Sequence, residues 1–243
     1  MRIERRAPVA SRGRAASYQL TRERIVETAV RLMRAEGLDR VTMRRLAQEL
    51  ETGPASLYAH VRNAAELHGA ILDHLLAGLD MSPGAEGGAG GGDWRERLIG
   101  LLSEYTVLLF RQPALARSVL ALRPSGPNYL RLIDAILRLL DDGDVPLRQA
   151  AWGVDILLQL ATATAAEQGT RDETADADTE IAALVTALDA SLPDTYPAIA
   201  RVGRALFEGT PEQHLDWLFR AAIAGIAATA PPHTPPPHAP PTA

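Results

Sequence analysis

The sequence predicts an all-α chain, built as a small N-terminal helical bundle and a larger C-terminal one, with about nine or ten helices in all. Three observations lead there. Apolar residues recur at intervals of three and four through almost every segment. No stretch alternates apolar and polar residues in a way that defends a strand. One Gly-rich run, "SPGAEGGAGGG" at 82–92, interrupts the pattern, and its glycines disfavour a helix and make a linker.

Each element then follows in order. Residues 1–20 are polar, Arg-rich and irregular, and read as a disordered arm. Thr21 is placed to cap a first helix in which Ile25, Ala29, Leu32 and Met33 share a face, and Gly37 stops it. Thr42 caps a second helix over 43–50, with Leu46, Ala47 and Leu50 on one side. After a break at 51–53, Pro54 opens a short helix that runs to residue 60. Asn63 caps a longer one through Leu67, Ile71, Leu75 and Leu79. Beyond the linker, helices are predicted over 94–111, 113–122, 127–140, 146–168, 179–190, 196–208 and 211–228. The acidic stretch 171–180 reads as a loop, and the Pro-rich residues 231–243 as a disordered tail.

Composition excludes several kinds of chemistry. The 243 residues include no cysteine, and all 25 basic residues are arginine. Disulfides and thiolate metal sites are therefore excluded, as is a Walker phosphate loop, which needs a lysine. No nucleophile elbow, zinc-protease helix or dinucleotide fingerprint occurs, so no enzyme activity, cofactor or metal is expected. The acidic turn at 141–144 lacks the later ligands of a calcium loop. No apolar run is long enough to span a membrane, and the N-terminus lacks the apolar stretch of a secretory signal, so a cytoplasmic location follows.

The net charge of −5 hides an asymmetry. Residues 1–62 hold 13 Arg against seven acids, a balance of +6, whereas residues 63–243 carry −11. A basic head on an acidic body suits a polyanion at one end only. The segment "TMRRLAQELETGPASLYAHVRN" at 42–63 fits that partner. It places a Tyr and a His on a very short helix, after a loop of Glu, Thr, Gly and Pro. Two helices joined by a tight turn, the second short and exposed, are how helix-turn-helix proteins meet double-stranded DNA, with the start of the second helix at the base edges. This reading puts Thr52, Pro54, Ala55, Ser56 and Tyr58 at the readout positions. The N–H groups opening the short helix can receive a phosphate. His60 reaches phosphate at the far end, and Arg44 reaches base or phosphate. Leu57 and Val61 turn inward and fix the helix on its support.

Those residues carry a family resemblance. "ETAVRLMRAEGLDRVTMRRLAQELETGPASLYAHVRNAAEL" is similar to the DNA-binding domain of the TetR family of bacterial repressors, and "LAQEL" with "SLYAHVRN" is close to its tetracycline-repressor branch. "DWRERL", followed by "LRPSGPNYLRLIDAILRLLDDGDVPLRQAAWGVDILL", extends the likeness, which covers about residues 21–230. It implies a helix-turn-helix domain over 21–65 and a ligand-binding and dimerisation domain over 66–230. It also implies DNA contacts at Arg44, Ser56, Tyr58 and His60, with Pro54 and Ala55 at the groove. Three positions depart from the branch. Glu51 stands where a turn Gly is usual, Ala59 replaces a bulky aromatic, and Ala64 replaces a phosphate-binding Lys. Arg5, Arg6, Arg12 and Arg14 of the arm can compensate by lying along phosphates or entering a minor groove.

For the body, the resemblance implies a homodimer in which the helices at 146–168 and 211–228 pack against their copies. The small residues Ala150, Ala151, Gly153, Ala161, Ala163, Ala165 and Gly225 would admit close approach there; an intramolecular core is the alternative. An effector pocket is implied among the helices that begin at Trp94, Pro113, Pro127 and Pro146. Its candidate liners are Leu101, Tyr105 and Leu109, then Val119 and Arg123, then Tyr129, and finally Trp152, Asp155, Gln159 and Thr162. In the tetracycline branch an imidazole that ligates drug-bound metal stands where this chain has Val119, and a key amide stands at Leu101. Both differences argue against tetracycline with magnesium and for a larger, flatter, more apolar molecule, such as an aromatic polyketide. The function implied is a ligand-responsive repressor; the alternative is a dimeric DNA-binding regulator with no effector.

Overall fold

The computed structural model describes residues 20–82, 93–174, 176–190 and 193–232. Among them there is no strand, and eleven α-helices occur. The arm residues Arg5, Arg6, Arg12 and Arg14, most of the Gly-rich linker and nearly all of the Pro-rich tail lie outside the described residues. The chain divides into two compact units, Met1–Leu67 and His68–Ala243.

The first unit holds α1 (Arg22–Glu36), α2 (Met43–Glu49), α3 (Pro54–Tyr58) and the start of α4 (Ala64–Leu76). Local caps set the boundaries. Thr21 Oγ1 accepts from Arg24 N at 3.2 Å, Thr42 Oγ1 from Arg45 N at 3.1 Å, and Asn63 Oδ1 from Glu66 N at 2.8 Å. Each satisfies an N–H that has no partner within its own helix. Ile25, Ala29, Leu46, Ala47, Leu57 and Val61 are all buried and form the core of this unit. Helix α4 is shorter than its apolar pattern suggests. The N–H groups of Ala77, Gly78 and Leu79 reach back only three residues, so the helix unwinds into a turn after Leu76.

The second unit contains α5 (Trp94–Phe110), α6 (Pro113–Val119), α7 (Pro127–Asp142), α8 (Leu147–Glu173), α9 (Ala177–Asp189), α10 (Pro197–Val202) and α11 (Pro211–Ala228). Helices α5 and α8 form its centre, with α6, α7 and α11 against them. Two expectations are corrected. The acidic stretch from Arg171 is loop only in part: α8 continues to Glu173 and α9 begins at Ala177. Arg171 pairs with Glu167 at 2.7 Å, and Arg117 of α6 reaches Glu173 at 3.0 Å and Thr170 at 2.9 Å, so the charges at this end are matched helix by helix. The single helix expected over 196–208 is broken, because Gly203 takes φ +56 and hands over to a 3₁₀ turn, Gly203–Phe207.

The small residues expected to admit close helix approach divide: Ala151 of α8 and Gly225 of α11 are exposed. Ala150, Gly153, Ala161 and Ala165 are buried within the chain. A Cβ on Gly153 would meet Ile226 of α11 at 2.7 Å, and Gln149 Nε2 donates to the carbonyls of Ile226 and Ala227 at 3.0 Å each. Gly153 and Gln149 seat α11 on α8. What the pair leaves exposed is bulkier: Trp152 and Ile156 of α8 and Trp217 of α11.

Candidate nucleic-acid interface and effector crevice

Helix α3 has five residues, and its sequence sorts them into two faces. Leu57, with Val61 just beyond, is fully buried, whereas Pro54, Ala55, Ser56 and Tyr58 are exposed. Tyr58 is 51 % exposed, an unusual state for a ring that could have joined the core beside it. Thr52 and His60 are half-buried at either end of the helix. The structure thus brings Thr52, Pro54, Ala55, Ser56, Tyr58 and His60 together on one short element. The helix start offers less to a phosphate than its position suggests, since Pro54 has no N–H and that of Ser56 is spent on Gly53 O at 3.0 Å.

The turn before α3 is held by Thr52 N, which donates to Ala47 O at 2.9 Å. Glu51 takes φ +50, the left-handed region. The residue that departs from the usual glycine therefore keeps the backbone a glycine would have had, at the cost of crowding its Cβ.

Four arginines of this unit are already committed to carboxylates. Arg45 bridges Glu36 and Glu49 at 2.7 Å each, Arg31 meets Glu49 at 2.8 Å, and Arg62 and Arg22 both meet Glu66. Glu49 is held below the ordinary carboxylate range by Arg31 and then Arg45, and Glu66 by the Arg62 backbone N–H and then its guanidinium. Arg44, exposed at the start of α2, is left with no ion pair among the described residues. Its guanidinium, at the start of the helix that supports α3, is available to an external anion.

In the second unit, seven of the ten expected effector liners border one crevice: Tyr105, Val119, Arg123, Tyr129, Asp155, Gln159 and Thr162. Leu101 and Leu109 are instead buried core residues, and Trp152 points outward on α8. Sequence reasoning missed Leu72, Leu120, Leu122, Pro124 and Leu158, which border the same crevice. The helical period could have found Leu158; Leu72 lies on α4, outside the four helices among which the pocket was expected.

The floor is polar and ordered. Tyr105 Oη lies 3.0 Å from Thr162 Oγ1, and burial raises its phenol pKa. Tyr129 is raised likewise. At the rim, Arg123 stands 3.7 Å from Asp155, both largely exposed. The crevice encloses only about 20 Å³. A separate, more apolar cavity of about 230 Å³ lies beside Thr106, Val107, Phe110, Ala165 and Leu215.

Comparison with known proteins places these features. Residues 25–71 match the bacterial regulatory proteins of the tetR family, and residues 86–229 match the tetracyclin repressor-like C-terminal domain. A transcription regulator of Streptomyces coelicolor has 50 % sequence identity and a TM-score of 0.73, over 89 % of this chain and 99 % of that one. ActR of the same organism, solved in complex with actinorhodin, has 31 % identity and a TM-score of 0.75, over 88 % and 97 % of the two chains. The transcriptional repressor DrrR1 of Streptomyces coeruleorubidus is 35 % identical over 121 residues, half of this chain and 43 % of that relative.

Proposed function

The chain belongs to the TetR family of bacterial regulatory proteins, and from that premise we propose that it is a dimeric, operator-binding transcriptional repressor, released from DNA by an apolar or aromatic small molecule that enters beside Tyr129. The observation that carries the DNA half is the division of α3, with Leu57 fully buried and its neighbour Tyr58 turned to solvent. Arg44, Ser56, Tyr58 and His60 are the contacts this reading assigns, with Thr52, Pro54 and Ala55 at the groove. Arg5, Arg6, Arg12 and Arg14 would add phosphate contacts, each worth roughly 0.9 of a unit of salt slope.

The effector half rests on the crevice and on ActR, whose structure holds actinorhodin. A drug-sized ligand needs about 300–1,000 Å³, far more than the crevice encloses, so binding must part its walls. An effector then selects a wider arrangement of the body, and the repressor is released if that arrangement spoils the spacing of two half-sites roughly 34–36 Å apart. A coupling of about 1–3 kcal/mol would weaken operator affinity about 5–150-fold.

The test begins with duplexes selected by the purified protein from a random library. Actinorhodin, other aromatic polyketides and a set of small polar metabolites are then added to the complex, and release is followed by fluorescence polarisation. Release by aromatic compounds alone is expected. Selection of no duplex overturns the DNA reading; release by polar metabolites alone overturns the effector class. Retention of DNA against every compound favours the regulator without effector.

A further inference from the structure

We propose that Asp73 is the positioning residue that makes the start of α7 move with α4, joining a wall of the effector crevice to the helix that leads to the DNA-reading unit. This rests on the function proposed above and assigns its transmission to one side chain.

Helix α7 opens without a cap of its own. Its N-cap residue, Gly126, makes no side-chain bond, and Pro127 has no N–H. Helices α1, α2, α5 and α11 are each capped by a residue directly before them. Helix α7 instead borrows a carboxylate from α4, 55 residues earlier in the chain. Asp73 Oδ1 accepts from Asn128 N and from Tyr129 N at 2.9 Å each. The Asn128 side chain closes the clasp, its Nδ2 donating to Asp73 O at 2.9 Å and to Oδ2 at 3.3 Å. A Cβ on Gly126 would fall within the Asp73 carboxylate. Charge-assisted bonds to the first turn of a helix, with no space left beside them, make a stiff joint between the two helices.

The joint lies beside the crevice on both sides. Leu72, the residue before Asp73, is one wall, and Tyr129, whose N–H the carboxylate holds, is another. Parting those walls loads the joint. Helix α4 starts at Ala64, inside the first compact unit, and continues past Asp73 to Leu76 in the second. Displacement of Tyr129 is therefore delivered to α4 through Asp73, and fixing α4 from the DNA side restrains the first turn of α7 in return.

That reciprocity gives a test without an effector. Amide hydrogen exchange at Asn128 and Tyr129 is measured by NMR on the full-length dimer, free and saturated with a library-selected duplex. In the wild type, duplex slows exchange at these two amides by about tenfold. Asp73→Ala abolishes the slowing at saturating duplex, and Asp73→Asn, which keeps an acceptor oxygen, preserves it. Gly126→Ala, which displaces the carboxylate from the other side, abolishes it too and serves if Asp73→Ala does not fold. A cap with only a structural role would protect both amides equally with and without DNA. Unchanged exchange in the wild type on adding duplex, or equal slowing in Asp73→Ala, overturns the joint and leaves the repressor reading standing. Failure to bind any duplex overturns both.

Discussion

Tyr105 donates its phenolic hydrogen bond to Thr162 across α5 and α8. The 3.0 Å contact has that sense because the Thr162 hydroxyl is already spent on Leu158 O at 2.7 Å. The bond lies at the floor of the crevice, between the two central helices of the second unit. Tyr105→Phe removes a donor and leaves Thr162 still bonded to Leu158, so no polar group is orphaned. Chemical denaturation is expected to show a loss of about 1 kcal/mol, the net value of one hydrogen bond. A loss several times larger would mean that the phenol supports more than this bond.

Tyr58 gives the opposite case. Its ring is exposed, so Tyr58→Phe should leave the melting temperature unchanged. Operator affinity should fall by about 1 kcal/mol, roughly fivefold, if the phenol bonds the DNA backbone. Equal affinity of the two proteins in polarisation titrations removes this contact from the interface.

Glu51 carries strain that a smaller residue would relieve. At φ +50 its Cβ crowds the neighbouring carbonyl. Glu51→Gly removes the clash but adds freedom to the unfolded chain, so the expected net gain is up to about 1 kcal/mol. A destabilised variant would show that the Glu51 side chain contributes something its backbone geometry does not account for.

Acid should weaken the protein in two windows. His68 on α4 is held below its ordinary value of 6.5 by burial, where its Nδ1 meets Ser118 Oγ. Below pH 6.5 the unfolded chain takes up this proton before the folded one does, so stability falls as pH drops below 6.5. Glu49 and Glu66, lowered by their arginine partners, contribute stability that is intact above the ordinary carboxylate value of 4.5 and lost as pH falls further. His68→Gln should flatten the upper window only. An unchanged slope there would place its origin elsewhere.

What the sequence made legible was local. Caps at Thr21, Thr42 and Asn63 and the inward turn of Leu57 and Val61 depend on residues within a few positions of one another, and spacing reveals them. The crevice was legible where helical period and family likeness coincided, as at Tyr105, Tyr129 and Thr162. Misreadings arose where a distant partner decides the outcome. The end of α8 looks like an acidic loop until Arg117 of another helix is seen to meet Glu173. Asp73 looks like an ordinary surface acid on α4, and nothing near it in sequence announces that α7 lacks a cap. The small residues of α8 suited either an interface between subunits or an intramolecular core, and at Gly153 it is the distant Ile226 that fills the space.

Trp152, Ile156 and Trp217 leave broad indole and aliphatic surface in water on a lone subunit. Were two subunits to pair across it, mass action would enter the heat resistance of the protein. Dilute samples would melt earlier than concentrated ones, and a cell that makes little of the chain would hold a more fragile and more readily degraded population than one that makes much.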